Sequence, residues 1–183
     1  MARNLSFAGL MVFVLFVSSS HVAQGVELDS ICNKTENYSF CFNLLNSKVG
    51  HGTTGVDLVT LAQYAIDVTR VNITNSMKLI NHLMRKNANS PEASDHYYLC
   101  LKDLGYERGA LAHVMAAEEA LKVGDYSLLK IEATSIQIFI DACIEGESPE
   151  DSPYHDTSRL PKYAHIIGQV TDIIVIISNF LYP

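Results

Sequence analysis

Four cysteines carry the clearest chemistry in this sequence, and their spacing predicts two disulfide bonds, although four cysteines allow three pairings. Cys32 and Cys41 have only eight residues between them, so we expect them to close a small local loop. Cys100 and Cys143 lie on either side of a break at Gly124, where one helix can end and the next begin. On antiparallel helices the two sulfurs would be offset by at most about 8 Å along the helix axis, so a modest shift in the turn would allow a bond. Closing this larger loop should stabilise the fold by about 4 kcal/mol.

The remaining residues contain no recognisable catalytic or metal-binding motif. The sequence lacks a Gly-x-Ser-x-Gly elbow, a His-Glu-x-x-His zinc motif, a P-loop and a dinucleotide-binding fingerprint. The histidines beyond the N-terminal segment are scattered, and no two are three or four positions apart, as a helical metal pair requires. Glu118 and Glu119 are adjacent, so they point in different directions and cannot act as a paired acid and base. We therefore expect a binding protein and not an enzyme, with no cofactor and no metal.

Helical periodicity runs through most of the chain and predicts the elements that hold the cysteines. Apolar residues recur at intervals of three, four and seven, and capping residues, glycines or prolines mark the ends. Four long helices are expected over residues 57–86, from Ser90 to about Lys122, from Asp125 onward, and from about Lys162 to Leu181. The sequence therefore predicts an all-α fold, an up-and-down four-helix bundle over residues 56–182 preceded by a short α-hairpin over residues 26–50.

Two of the predicted helices carry expectations about single residues. Gly105 and Gly109 are four apart in the second helix, where each costs about 1 kcal/mol relative to alanine. We expect a neighbouring helix to approach their backbone closely enough to compensate. In the third helix, Leu128 is expected to face the core beside Leu129.

The last helix contains an apolar run, Ile173 to Ile177, that resembles part of a membrane span. Polar residues such as His165, Gln169 and Asp172 interrupt the segment, so we expect a helix buried in the bundle and no membrane contact.

The N-terminus predicts export. Arg3 precedes a short apolar run from Leu10 to Val17, and Ala23-Gln24-Gly25 is a small-x-small cleavage site, so residues 1–25 are expected to be a signal peptide. Export permits disulfide bonds and glycosylation. Three sequons follow in the mature chain, and we expect them as glycosylation sites: Asn33, Asn37 and Asn72.

The charge of the chain narrows the choice of partner. The chain has 13 basic and 20 acidic side chains and a formal net charge of −7, and removal of residues 1–25 would take away only Arg3. A surface of this sign disfavours nucleic acid and favours a basic protein, because long-range attraction speeds association.

The cysteine-containing segments resemble a known family. The segment from Ile31 to Leu45 (ICNKTENYSFCFNLL) is similar to the opening motif of the plant invertase and pectin methylesterase inhibitors, and Gly124-Asp125-Tyr126 resembles the family's turn between the second and third bundle helices. The spacing of all four cysteines also agrees. The resemblance covers residues 26–183 and implies a secreted inhibitor that blocks the active-site cleft of a target enzyme without being cleaved.

The resemblance also suggests which enzyme is bound and where. We expect pectin methylesterase, because many such esterases are basic; an acid invertase of the cell wall or vacuole and a non-inhibitory secreted bundle are the alternatives. A monomer that binds its target one to one in the apoplast is expected. Some invertase inhibitors carry Pro-Lys-Phe at the turn between the second and third bundle helices, so the corresponding residues are the expected contacts: Lys122, Asp125, Tyr126 and Lys130.

Overall fold

The structure is a computed structural model that describes residues 27–49, 57–146 and 154–182. The predicted signal peptide lies outside these residues. The described part of the chain forms seven helices and no strand: α1 Leu28–Cys32, α2 Tyr38–Val49, α3 Leu58–Lys86, α4 Pro91–Asp103, α5 Ala110–Val123, α6 Tyr126–Glu145 and α7 Leu160–Leu181.

The long helices pack as a four-helix bundle. Helix α3 contacts α7 on one side and the α4–α5 segment on the other, and α6 likewise contacts both α7 and the α4–α5 segment. The short helices α1 and α2 form a hairpin that packs on α7, and α2 also contacts α3. This confirms the predicted all-α bundle with its N-terminal hairpin.

Capping residues place the helix ends where the sequence indicated. Asp57 accepts hydrogen bonds from the backbone N–H of Val59 and Thr60 at the start of α3, at 3.2 and 3.1 Å. Ser90 caps α4 with Pro91 in its first turn. Gly124 ends α5 with φ of 76°, a left-handed conformation that glycine adopts without steric cost.

The prediction of a continuous second helix is wrong, because this segment forms two helices, α4 and α5, separated by residues 104–109. Leu104 ends α4, and the N–H of Leu111 donates to the carbonyl of Leu104 across the break at 3.3 Å. Gly105 and Gly109 therefore do not face a neighbouring helix. A Cβ on Gly109 would lie 2.3 Å from the carbonyl oxygen of Asp103, so this position needs glycine because the chain's own backbone passes there.

The two disulfide bonds are the predicted ones. Cys32 bonds Cys41, and Cys100 bonds Cys143 with their Cα atoms 4.4 Å apart. Gly124 and Asp125 form the turn between α5 and α6 as expected, with Asp125 as the N-cap of α6. The sequence places Cys100 about five residues too far from that turn, a surplus of about 7.5 Å in a continuous helix. The break between α4 and α5 takes up this surplus.

Helix α7 supplies much of the core. By length and composition it is apolar enough to cross a membrane, so the expectation that polar residues exclude this was too strict. In the structure its apolar side chains are packed against α3 and α6, and five of its isoleucines are buried: Ile167, Ile173, Ile174, Ile176 and Ile177. This is the arrangement of a core helix in a bundle.

Candidate partner-binding surface

The turn between α5 and α6 brings together the four residues that the sequence indicated as contacts, and it gives two of them structural roles. Asp125 accepts a hydrogen bond from the N–H of Leu128 at 2.9 Å and so caps α6. Tyr126 is half-buried and packs against the hydrophobic core. Lys122 and Lys130 are exposed, and the Lys122 ammonium lies 3.5 Å from a Glu119 carboxylate oxygen. Only the two lysines are therefore fully available to a partner.

The outer face of α6, defined by Leu128, Ile131 and Ile138, exposes large apolar side chains to solvent. The exposed fractions are 38%, 57% and 62%, respectively. The expectation that Leu128 faces the core is therefore wrong. Positions three and seven residues apart lie on one side of a helix, so these side chains form a stripe along the outside of the bundle.

Polar groups beside this stripe are turned away from a partner. The hydroxyls of Thr134 and Ser135 donate to backbone carbonyls of their own helix, at 2.9 and 3.0 Å. The Glu132 carboxylate faces α5, where its Oε2 lies 2.7 Å from Nδ1 of His113. The outer face of α6 thus offers mainly apolar contact area.

The opposite side of α6 fixes the orientation of this face. Leu129, Ile136 and Ile140 are buried in the core, and Cys143 joins α6 covalently to α4. The ring of Phe139 stacks on His113 of α5 at 5.2 Å between centroids. A helix held on three sides in this way presents its outer face with little freedom to rotate.

A buried carboxylate anchors the chain after α6 to α4. The side chain of Asp156 is only 4% exposed and accepts from the Tyr97 hydroxyl at 3.0 Å and from the Ser158 N–H at 2.7 Å. The His96 ring packs against Tyr154, with its Nε2 3.8 Å from the carboxylate. The donors surround Asp156, and the cluster is a structural clamp.

Burial and Asp156 together perturb two pKa values in this clamp. The pKa of His96 is lowered because burial disfavours the imidazolium, although Asp156 acts in the opposite direction. The pKa of Tyr97 is raised to about 12, first by burial and then by its hydrogen bond to Asp156. This cluster was not predicted, because its only local signal in the sequence is the Asp-x-Ser spacing typical of a turn.

The three sequons have different surroundings. Asn33 is exposed at the end of α1. Asn37 is also exposed, and its side-chain oxygen accepts from the N–H of Phe40 at 3.1 Å. Asn72 is half-buried within α3, where its amide donates to the carbonyl of Val68 at 2.8 Å. Glycosylation at these asparagines stays a prediction.

Comparison with known proteins identifies the family. The family model for the plant invertase/pectin methylesterase inhibitors matches residues 27–175. Pectinesterase inhibitor 1 and pectinesterase inhibitor 2 of Arabidopsis thaliana are each 26% identical to this chain, over 98% and 99% of it and over 96% and 98% of their own lengths.

Solved structures agree in fold. A crystal structure of a mutant form of a pectin methylesterase inhibitor from Arabidopsis superposes with a TM-score of 0.68 at 24% identity, covering 83% of this chain and 95% of that one. Another crystal structure of an Arabidopsis thaliana pectin methylesterase inhibitor gives a TM-score of 0.61 at 22% identity, covering 85% and 96%. The chain therefore belongs to the plant invertase/pectin methylesterase inhibitor family, a family of enzyme inhibitors and not of enzymes.

Proposed function

We propose that this protein is a secreted inhibitor of pectin methylesterase, which it blocks by seating the outer face of α6 over the active-site cleft of the enzyme. The structural observation that carries the proposal is the exposure of Ile131 and Ile138 on a helix whose other sides are fixed by packing and a disulfide bond. The choice of enzyme is supported by the curated relatives, which are named pectinesterase inhibitors and align over almost their full length.

A rigid apolar face suits an inhibitor for a thermodynamic reason. Association costs free energy because translational, rotational and side-chain freedom are lost, and a preformed surface reduces the last of these costs. Exposed aliphatic side chains release water when a partner covers them, at about 25 cal/mol per Å². The outer face of α6 meets both conditions without a conformational change in the bundle.

The turn between α5 and α6 extends this surface at one end. Lys130 directly precedes Ile131 on α6 and is exposed, and Lys122 near the end of α5 is exposed as well. We propose that these lysines contact the rim of the cleft. Asp125 and Tyr126, the other two expected contacts, would then act by holding the turn in shape.

Charge supports a basic target. The formal net charge of −7 attracts a basic enzyme over distances of about a Debye length and raises the association rate. An acid invertase is the alternative target, because the family model covers inhibitors of both enzymes. A non-inhibitory bundle is the remaining alternative.

The setting of this activity is part of the proposal. Proteins of the family belong to the plant cell wall, and residues 1–25 have the pattern of a signal peptide, which supports export to the apoplast or vacuole. We propose that the mature protein acts as a monomer in a one-to-one complex and carries sugar at one or more of Asn33, Asn37 and Asn72.

Charged replacements on α6 test the binding mode. The variant Ile131→Asp/Ile138→Asp should fold normally, because both side chains are mostly exposed, and should lose at least about thirtyfold in affinity for pectin methylesterase, or about 2 kcal/mol. Val59→Asp/Val71→Asp is the matched control, since it adds the same charge at two exposed valines on α3. Inhibition constants from methanol release give the comparison. Equal affinity of both variants and the unmodified protein would contradict the binding mode.

A further inference from the structure

A groove lies where the α1–α2 turn meets the second half of α6 and the first half of α7. Its volume is about 500 Å³, and three separate elements form its walls. The hairpin wall is held by the Cys32–Cys41 bond and by α7, where the Lys34 ammonium lies 4.3 Å from the centroid of the Phe180 ring. The groove is thus a preformed feature of the surface.

Part of the groove lining is apolar, and we call this part the floor. It consists of residues that are buried or half-buried: Phe40, Ile140, Ile144, Ala164 and Ile173. Such a floor favours a ligand with an aliphatic portion, because the contact removes apolar surface from water.

The rim of the groove is acidic. Glu36 comes from the hairpin, Asp141 and Glu145 from α6, and Asp172 from α7, while His165 is the other titratable side chain that faces the groove. None of the described residues that line the groove is lysine or arginine. The rim therefore carries negative charge that its own lining does not neutralise.

The carboxylates of the rim repel one another in pairs. Burial raises the pKa of Asp141, and the nearby Glu145 raises it further. Burial likewise raises the pKa of Asp172, with a further contribution from Glu36. A positive group between the pairs would relieve this repulsion.

The geometry favours an extended organic cation over a metal ion. Within the described residues, no group of three or more His, Cys, Asp or Glu side chains is close enough to hold a metal. Arginine and lysine have an aliphatic stem and a charged head, so the stem can lie on the floor while the head reaches the carboxylates of the rim.

The position of the groove points to the same partner as the outer face of α6. Asp141 and Glu145 are three and seven residues beyond Ile138, so they continue the stripe defined by Leu128, Ile131 and Ile138 towards the groove. An enzyme seated on α6 would therefore extend over the rim.

We propose that this groove receives an arginine or lysine side chain from the surface of the target enzyme. The inference rests on the proposed function, since it assumes that the enzyme covers α6. Charge-assisted hydrogen bonds to the rim would hold the cationic head.

Neutralising the two rim residues outside α6 tests this inference. In Glu36→Gln/Asp172→Asn the α6 face is untouched, and the fold should survive because the raised pKa of Asp172 shows that its charge is unfavourable there. The matched control is Glu92→Gln/Asp95→Asn, which changes the net charge equally at exposed positions on α4. Affinity for a basic pectin methylesterase is measured at low and moderate ionic strength.

The groove variant should bind at least about tenfold more weakly than the unmodified protein and with a weaker salt dependence, whereas the control should stay within about twofold. As the pH falls towards the ordinary range of carboxylic acids, the difference between the two should shrink because the rim carboxylates protonate. Equal affinity of groove variant and control, with the unmodified protein still inhibiting, would overturn the groove inference alone. Failure of the unmodified protein to inhibit would overturn it together with the proposed function.

Discussion

At the scale of single residues, Gly109 shows how a close backbone approach fixes a residue type. Its missing side chain leaves room for the carbonyl of Asp103, which would otherwise lie 2.3 Å from a Cβ. Alanine would fit only if the backbone moved, and such overpacking costs roughly 1–3 kcal/mol.

We expect Gly109→Ala to lower the free energy of unfolding by about 2 kcal/mol in urea denaturation. Gly168→Ala is the control, because nothing lies within 4 Å of a Cβ at this position in α7. Helix propensity should then stabilise the protein by up to about 1 kcal/mol. If Gly109→Ala and Gly168→Ala changed the free energy of unfolding by the same amount and in the same direction, the close packing at Gly109 would not determine the residue type there.

His96 gives a prediction about pH. Because burial lowers its pKa in the folded state, the unfolded state binds more protons near and below the ordinary histidine pKa of 6.5. The contribution of His96 to stability is therefore fully present above that pH and is lost as the pH falls through the lowered folded-state pKa.

Urea denaturation at pH values on either side of this range checks the effect. The loss of stability on acidification should be smaller in His96→Gln than in the unmodified protein, while replacing the exposed His155 by glutamine should leave it unchanged. If the stability of His96→Gln depends on pH as strongly as that of the unmodified protein, a lowered His96 pKa is not a cause of the loss of stability on acidification.

At the scale of elements, the ends of the helices were predictable because capping chemistry is local. Asp57, Ser90 and Asp125 each accept a hydrogen bond from an N–H at most three residues away, so a short stretch of sequence contains the whole signal. The break between α4 and α5 was not predictable in the same way. Leu104 and Leu111 continue the spacing of an amphipathic helix across the break. Gly105 and Gly109 are compatible both with one continuous helix and with two helices separated by a break.

The disulfide bonds permit a prediction at this scale. The Cys100–Cys143 bond spans 43 residues and the Cys32–Cys41 bond spans 9, so loop-closure entropy gives about 4 and about 2.6 kcal/mol, respectively. Replacing both cysteines of a pair by serine should therefore lower the free energy of unfolding more for the pair in the bundle. A larger loss for the hairpin pair would mean that contacts of the hairpin with α7 depend on its bond.

At the scale of the whole molecule, the proposed binding surface could not be predicted from the sequence. Ile131 and Ile138 have the residue type and spacing of core positions, and only the packing of α6 against α5 and α7 decides that they face outward. The rim of the groove combines Glu36 with residues more than 100 positions later, so no local pattern could reveal it. The cysteine spacing, the motif from Ile31 to Leu45 and the helix pattern, by contrast, were together enough to indicate the family.

The most direct test of the account is a titration of purified pectin methylesterase with the mature protein, followed by methanol release, with an acid invertase titrated in parallel. We expect esterase activity to fall in proportion to added inhibitor and to vanish near equimolar amounts, because in the proposed complex one bundle covers one cleft. Invertase activity should stay unchanged. Full esterase activity at a large molar excess of the folded protein would contradict the account, and loss of invertase activity in its place would assign the protein to the other branch of the family.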